Sequence, residues 1–281
     1  MIMPSDHHCQ YKARVTGDDL PNELLLEIYP LLPLKGLIAA RGVSRRWRSL
    51  VTEADLKPAR RRLLELYLEV IKCPAFLATR ADIVPHLKPF DRKAYLGHIS
   101  EAAQPPEEFE MWVNEWPARA AIGWVWPGLN CEVHEGETNA VKRHDFMNTL
   151  GHHPPYIKTV TYHKRKSEMS QAQTIFHATT FLPAGIAIPH VDDISWGDAD
   201  DDVMVSVEVT AVCVAKSEEV GPEWLVLDGR RGGEQMQGFV YKGGYGMTAG
   251  DIISEGWIEY LERELLREEQ WLKEKVPTEC P

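Results

Sequence analysis

The sequence predicts an α+β protein in which a small N-terminal helical module precedes a domain with a mainly antiparallel sheet. Three observations carry this. Short leucine-rich runs at helical spacing, cut by prolines, fill residues 20–71; β-branched segments lie between about residues 157 and 242; and a long amphipathic run closes the chain. Helices first and strands afterwards is the order of an α+β fold rather than of an alternating α/β fold.

The first 17 residues read as disordered. At "LPNELLLEIYPLLP", Pro21 suits a first helical turn, where its missing N–H is no loss, and Glu23 meets the positive end of the helix dipole. Leu24, Leu25 and Ile28 then share a face, and Pro30 and Pro33 stop the helix early. A second helix carries Leu37, Ile38 and Arg41. Ser44 is a good N-cap for a third, with Trp47, Leu50 and Val51. Pro58 opens a fourth, turning Leu63, Leu64, Tyr67 and Val70 or Ile71 inward. Residues 61–106 read as a helical linker region ending at "AAQPPEEFE".

Beyond it, Trp112, Trp116, Trp124 and Trp126 gather among glycine and proline, and "YIKTVTYHK" and "QTIFHATTFLP" read as strands. In "VMVSVEVTAVCVAK" Val203, Val205, Val207 and Val209 alternate as in a sheet with one face on a core. "EWLVLD" and "QGFVYKGG" are further strands, and a helix from about Asp251 places Ile253, Trp257, Leu261 and Leu265 on one stripe. The domain plan is therefore a disordered 1–17, a helical module over 18–60, the 61–106 linker and an α+β domain over 107–281.

The chain of 281 residues is 44% apolar, enough for a sizeable core. No run of about 18 residues is free of charge and proline, and the N-terminus lacks the basic and apolar regions of a secretory signal. The expectation is a cytoplasmic or nuclear protein with no membrane association. Its five cysteines (Cys9, Cys73, Cys131, Cys213, Cys280) are odd in number and form no CxxC pair, as expected of reduced thiols. A net charge of -11 argues against a nucleic-acid partner.

The spacing of Leu20-Pro21, Leu24-Leu25, Ile28, Leu32-Pro33, Leu37, Arg41, Val43-Ser44-Arg45, Trp47-Arg48 and Leu50 closely resembles the F-box family. That resemblance implies a three-helix element that docks on the Skp adaptor of an SCF ubiquitin ligase and, through it, on the cullin. It assigns the contact to Leu20, Pro21, Leu24, Leu25, Ile28, Leu32, Pro33, Leu37, Val43, Trp47 and Leu50. Helices this short are not stable alone, and the leucines exceed what such a bundle can bury. A leucine-rich surface on a soluble chain points to a partner, and each leucine buried there contributes roughly 1.5–3 kcal/mol. The cluster Arg41, Arg45, Arg46, Arg48, Lys57, Arg60, Arg61 and Arg62 reads as a basic face toward an acidic adaptor. Two positions depart from the family: Gly36 stands where an aspartate often caps the second helix, and Pro30 interrupts a turn that many members leave unbroken.

The stretch from Pro222 to Leu265 resembles the end of a SUKH-type domain, the fold of the fungal cell-wall regulator group. The features are Trp224-Leu225-Val226-Leu227-Asp228, Gly238 and the closing helix. This implies a non-catalytic protein-binding domain.

Other motifs fit less well. "DHHC" at Asp6–Cys9 lacks the cysteine-rich surroundings and membrane helices of a palmitoyltransferase. "HVD" at His190–Asp192 has no later histidine to complete an iron-binding facial triad. "DADDD" at Asp198–Asp202 has Val203 and Val209 where a calcium loop needs glycine and glutamate. His152-His153 reads as a surface loop. No P-loop is present, and "GRRGGEQMQG" lacks a dinucleotide-binding context.

The leading expectation is a substrate receptor without catalysis, cofactor or metal: the helical module binds the adaptor and the C-terminal domain binds a client protein. The alternatives are a scaffold acting outside a full ligase and a metal-dependent enzyme around His190, Asp192 and His177.

Overall fold

The computed structural model describes residues 20–129, 146–165, 177–183, 204–217, 221–230, 236–242 and 252–275. The chain divides into two compact units, Met1–Lys57 and Pro58–Pro281.

In the first unit, α1 (Asn22–Ile28) ends in a 3-10 turn, Tyr29–Leu31, that begins around Pro30. Proline has no N–H to continue the ladder, so the last helical bond runs from Tyr29 N–H to the Leu25 carbonyl. Next come α2 (Leu34–Val43) and α3 (Arg45–Glu53). Ser44 caps α3 as the sequence predicts, its hydroxyl accepting from the Trp47 N–H at 3.2 Å. Gly36 does not stand at the cap of α2. Pro33 precedes the helix and Gly36 is its third residue, where a Cβ would meet the Leu32 Cβ at 3.2 Å.

The second unit opens with four helices: α4 (Pro58–Val70), α5 (Pro74–Ile83), α6 (Arg92–Ala102) and α7 (Glu107–Glu115). The seven-stranded sheet follows as β1 (Phe146–Asn148), β2 (Ile157–Arg165), β3 (His177–Pro183), β4 (Met204–Ser217), β5 (Gly221–Arg230), β6 (Val240–Lys242) and β7 (Ile252–Ser254), and α8 (Trp257–Lys275) closes the unit. The strand order is β3-β2-β4-β5-β6-β7 with β1 beside β4, and every pair is antiparallel.

Helices α4 and α5 pack on α8, and α4 and α6 pack on α7, so residues 61–106 belong to the same compact unit as the sheet. Their apolar faces, with Leu63, Leu64, Phe76, Ile83, Tyr95 and Ile99 buried, complete the core of the domain. Arg60 braces α4 on α7 through a two-pronged bond to Glu115, at 3.0 and 2.7 Å.

Ile252 and Ile253 form a strand, not the first turn of the closing helix. Pairing of Ile252 with Tyr241 and of Ser254 with Val240 fixes this segment in the sheet, and α8 starts only after Gly256. The Glu108 carboxylate of α7 accepts the Ile258 N–H at 3.1 Å and lies 3.0 Å from where a Cβ on Gly256 would sit. A distant residue therefore sets this helix start.

Residues 209–215 of β4 are buried on both sheet faces, not one. Val209, Ala211, Cys213, Trp224, Val226, Met236 and Tyr241 form one apolar cluster. Glu223, Leu225 and Leu227 point the other way, where the Tyr260 hydroxyl of α8 reaches Glu223. Beside α8, Trp112 meets Trp126 and Trp257 edge to face, with ring centroids 4.9 Å apart in both pairs, and Phe109 meets Trp257 at the same distance. Trp112, Trp116 and Trp126 are thus core residues. Trp196 and Val203 lie outside the described residues.

Candidate adaptor-docking site

The first unit has an inner and an outer set of apolar side chains. Leu25, Leu34, Leu37, Leu50 and Val51 are buried, and Tyr29 is fully enclosed. The Tyr29 ring meets Trp47 edge to face at 5.9 Å. Burial pushes the Tyr29 phenol up, opposed by the nearby Arg46 guanidinium. Of the residues the sequence assigns to a partner, Leu25, Leu37 and Leu50 therefore build the module itself. Their helical spacing matches that of the outer residues, so sequence alone does not separate the two sets.

The outer set is what a partner can reach. Leu24 and Ile28, one turn apart on α1, are 44% and 39% exposed, Leu31 in the following turn 81% and Val43 at the end of α2 57%. Pro21 and Pro33 are exposed too, while Leu20, Leu32 and Trp47 are half-buried. Leu31, absent from the expected contact set, is the most exposed of these apolar side chains; its place between Pro30 and Pro33 was the available signal. Exposed leucine and isoleucine so concentrated on a short helical unit form a patch that water penalises and a partner would cover.

The arginines divide between the two units and make different contacts. Arg46 braces the module: its Nε donates to Asn22 Oδ1 at 2.8 Å and its Nη2 to the Leu20 carbonyl, tying the start of α1 to α3. Arg41 donates to Thr52 Oγ1 at 3.1 Å, and Arg48 Nε to the Arg41 carbonyl at 3.2 Å. Arg60 and Arg62 belong to the second unit and pair with Glu115 and Glu108. Exposed basic side chains on the module surface include Arg45 and Arg48 of α3 and Lys57.

A proline-bounded first helix, a serine-capped third helix carrying tryptophan, and an outer leucine stripe define this unit, and comparison with known families identifies it. Residues 17–56 match the F-box-like family model. The first unit carries an F-box-like domain. The match ends next to the boundary at Lys57 that the packing itself draws. F-box domains bind Skp-type adaptors, and proteins that carry them are in general non-catalytic substrate adaptors of SCF ubiquitin ligases. Neither the curated proteins nor the solved structures include a match to the chain, so the SUKH-type resemblance of the C-terminal region gains no support.

Among the described residues, no group of three or more histidine, cysteine or carboxylate side chains is placed to hold a metal, and no helix is long and apolar enough to cross a membrane. His190, Asp192, the 6–9 "DHHC" segment and the 198–202 acidic segment lie outside the described residues; His177 opens β3. In the loop before β2, the His153 ring packs near Phe90 and Tyr95, and its Nε2 lies 3.2 Å from the Pro127 carbonyl.

Proposed function

We propose that the chain is a substrate receptor of an SCF-type ubiquitin ligase, with the F-box-like domain on a Skp-type adaptor and the second unit presenting a client protein. The observation that carries this reading is the coincidence of the F-box-like match with an outer stripe of Leu24, Ile28, Leu31 and Val43 on a separate compact unit. The contact set narrows to the reachable side chains: Leu20, Pro21, Leu24, Ile28, Leu31, Leu32, Pro33, Val43 and Trp47. Leu25, Leu37 and Leu50 act through the shape of the module. Ubiquitin transfer belongs to other subunits, and the receptor contributes proximity. In this reading the second unit contributes the surface that binds the client.

The test is co-purification of the tagged full chain with a Skp-type adaptor and cullin, together with ubiquitin conjugation to whatever the second unit captures. The reading expects both to be lost when Leu24, Ile28 and Leu31 are changed together to aspartate, while client capture persists. Conjugation that continues without the adaptor contact would instead favour a scaffold acting outside the ligase.

A further inference from the structure

The sheet face under α8 holds charge in the core. Glu223 of β5 and Glu264 and Glu268 of α8 are all buried. The Tyr260 hydroxyl donates to Glu223 Oε2 at 2.6 Å, and Arg267 reaches Glu223 Oε1 through Nη2 at 3.3 Å and Nη1 at 3.4 Å. The same Nη1 donates to Glu264 Oε1. Two buried carboxyl groups therefore converge on one guanidinium nitrogen.

The charges around Glu264 are Arg267, Arg263 and Glu268 of its own helix and Glu223 of β5, with Tyr260 alongside. Arg263 donates to the Ile253 carbonyl, and Arg80 of α5 faces Glu268. Arg267 alone bonds both carboxyl groups, Arg263 being engaged by the Ile253 carbonyl, and one guanidinium does not offset two carboxylates that are both buried. One of the pair keeps its proton. Glu223 already accepts from both a hydroxyl and the guanidinium, which leaves that proton on Glu264. Burial, with Glu223 and Glu268 adding to it against Arg267, pushes the Glu264 carboxyl up to about 8.

We infer that Glu223, Arg267 and Glu264 form a proton-linked latch that holds α8 on the sheet and loosens when Glu264 gives its proton to a solvent base. The step breaks one carboxylic O–H bond and leaves two carboxylates on one guanidinium. Because α8 carries Trp257 into the aromatic layer, loosening it opens the core of the second unit. The folded carboxyl holds its proton far above the unfolded value of 4.5. The latch's contribution is therefore complete below about pH 4.5, declines as pH rises, and is lost as pH passes through about 8.

Hydrogen exchange of the α8 amides in the full chain, corrected for intrinsic exchange rates, reads the opening constant. Between pH 6 and pH 8 it should rise by up to about tenfold per pH unit in the wild type. Glu264→Gln, a neutral isostere, should flatten that rise, and Glu268→Gln should leave it in place. Wild-type opening that ignores pH would overturn the inference even if the first variant failed to fold. So would a slope that survives Glu264→Gln or disappears in Glu268→Gln.

Discussion

Trp112→Ala probes the part of the fold that joins the early helices to the late one. The Trp112 side chain is 1% exposed and stands edge to face with both Trp126 and Trp257 at 4.9 Å. Emptying such a site costs about 3–5 kcal/mol, and each aromatic pair is worth about 0.5–1.5 kcal/mol beyond its buried area. A loss of about 4 kcal/mol is the expected outcome, a large share of the 5–15 kcal/mol typical of a whole domain. With a denaturant slope of about 2 kcal/mol per molar urea, the midpoint should fall by about 2 M. Far-UV circular dichroism is the suitable probe, because tryptophan fluorescence changes with the mutation itself. Trp112→Phe, which refills part of the space, should recover about half the loss. A midpoint shift below about 0.5 M for Trp112→Ala would refute the reasoning, since α7 and α8 would then not depend on this layer for their docking.

Other outcomes follow from single contacts. Ser44→Ala removes the cap of α3 and should lower stability of the first unit by about 1 kcal/mol, read from its thermal midpoint. Glu115→Gln removes the charge and one of the two acceptors from a half-buried pair with Arg60 and should cost about 1.5–3 kcal/mol in urea titration. Gly128→Ala would put a Cβ 2.7 Å from the Lys88 carbonyl oxygen and 2.8 Å from Trp126 Nε1, and should destabilise the second unit by about 1–3 kcal/mol. Burial pushes the Cys213 thiol up to about 11, so mass-spectrometric mapping of alkylation at pH 8 should find Cys213 unmodified until urea unfolds the chain.

The legible parts of the sequence were those written locally. Pro30 and Pro33 bound the first helix, Ser44 caps the third and Pro58 opens the fourth, because each acts through its own backbone. The long strand at 204–217 declared itself by β-branching. What was hidden depended on distant partners. Residues 61–106 look like a linker because their apolar faces gain meaning only against α7 and α8, the latter nearly two hundred positions away, as the 3.4 Å contact from Cys73 Sγ to Glu269 illustrates. Ile253 shares helical spacing with Trp257 and Leu261, so the pattern favoured a helix until pairing of its strand with β6 decided otherwise. In the first unit the leucine pattern located the F-box-like element but not its inside. Leu25 and Leu24 are adjacent and chemically identical, yet one is buried and the other reachable.

The central claim is that the outer stripe of the F-box-like domain is an adaptor contact, and a binary titration tests it most directly. Purified full chain titrated with a purified Skp-type adaptor should show saturable one-to-one binding. Leu24 and Ile28 are 44% and 39% exposed, so a partner that covers the rest of each gains about 0.6–1.3 kcal/mol per side chain, and the double alanine variant should bind at least about tenfold more weakly with its circular dichroism spectrum intact. No binding by the wild type, or the same affinity in the variant, would contradict the account.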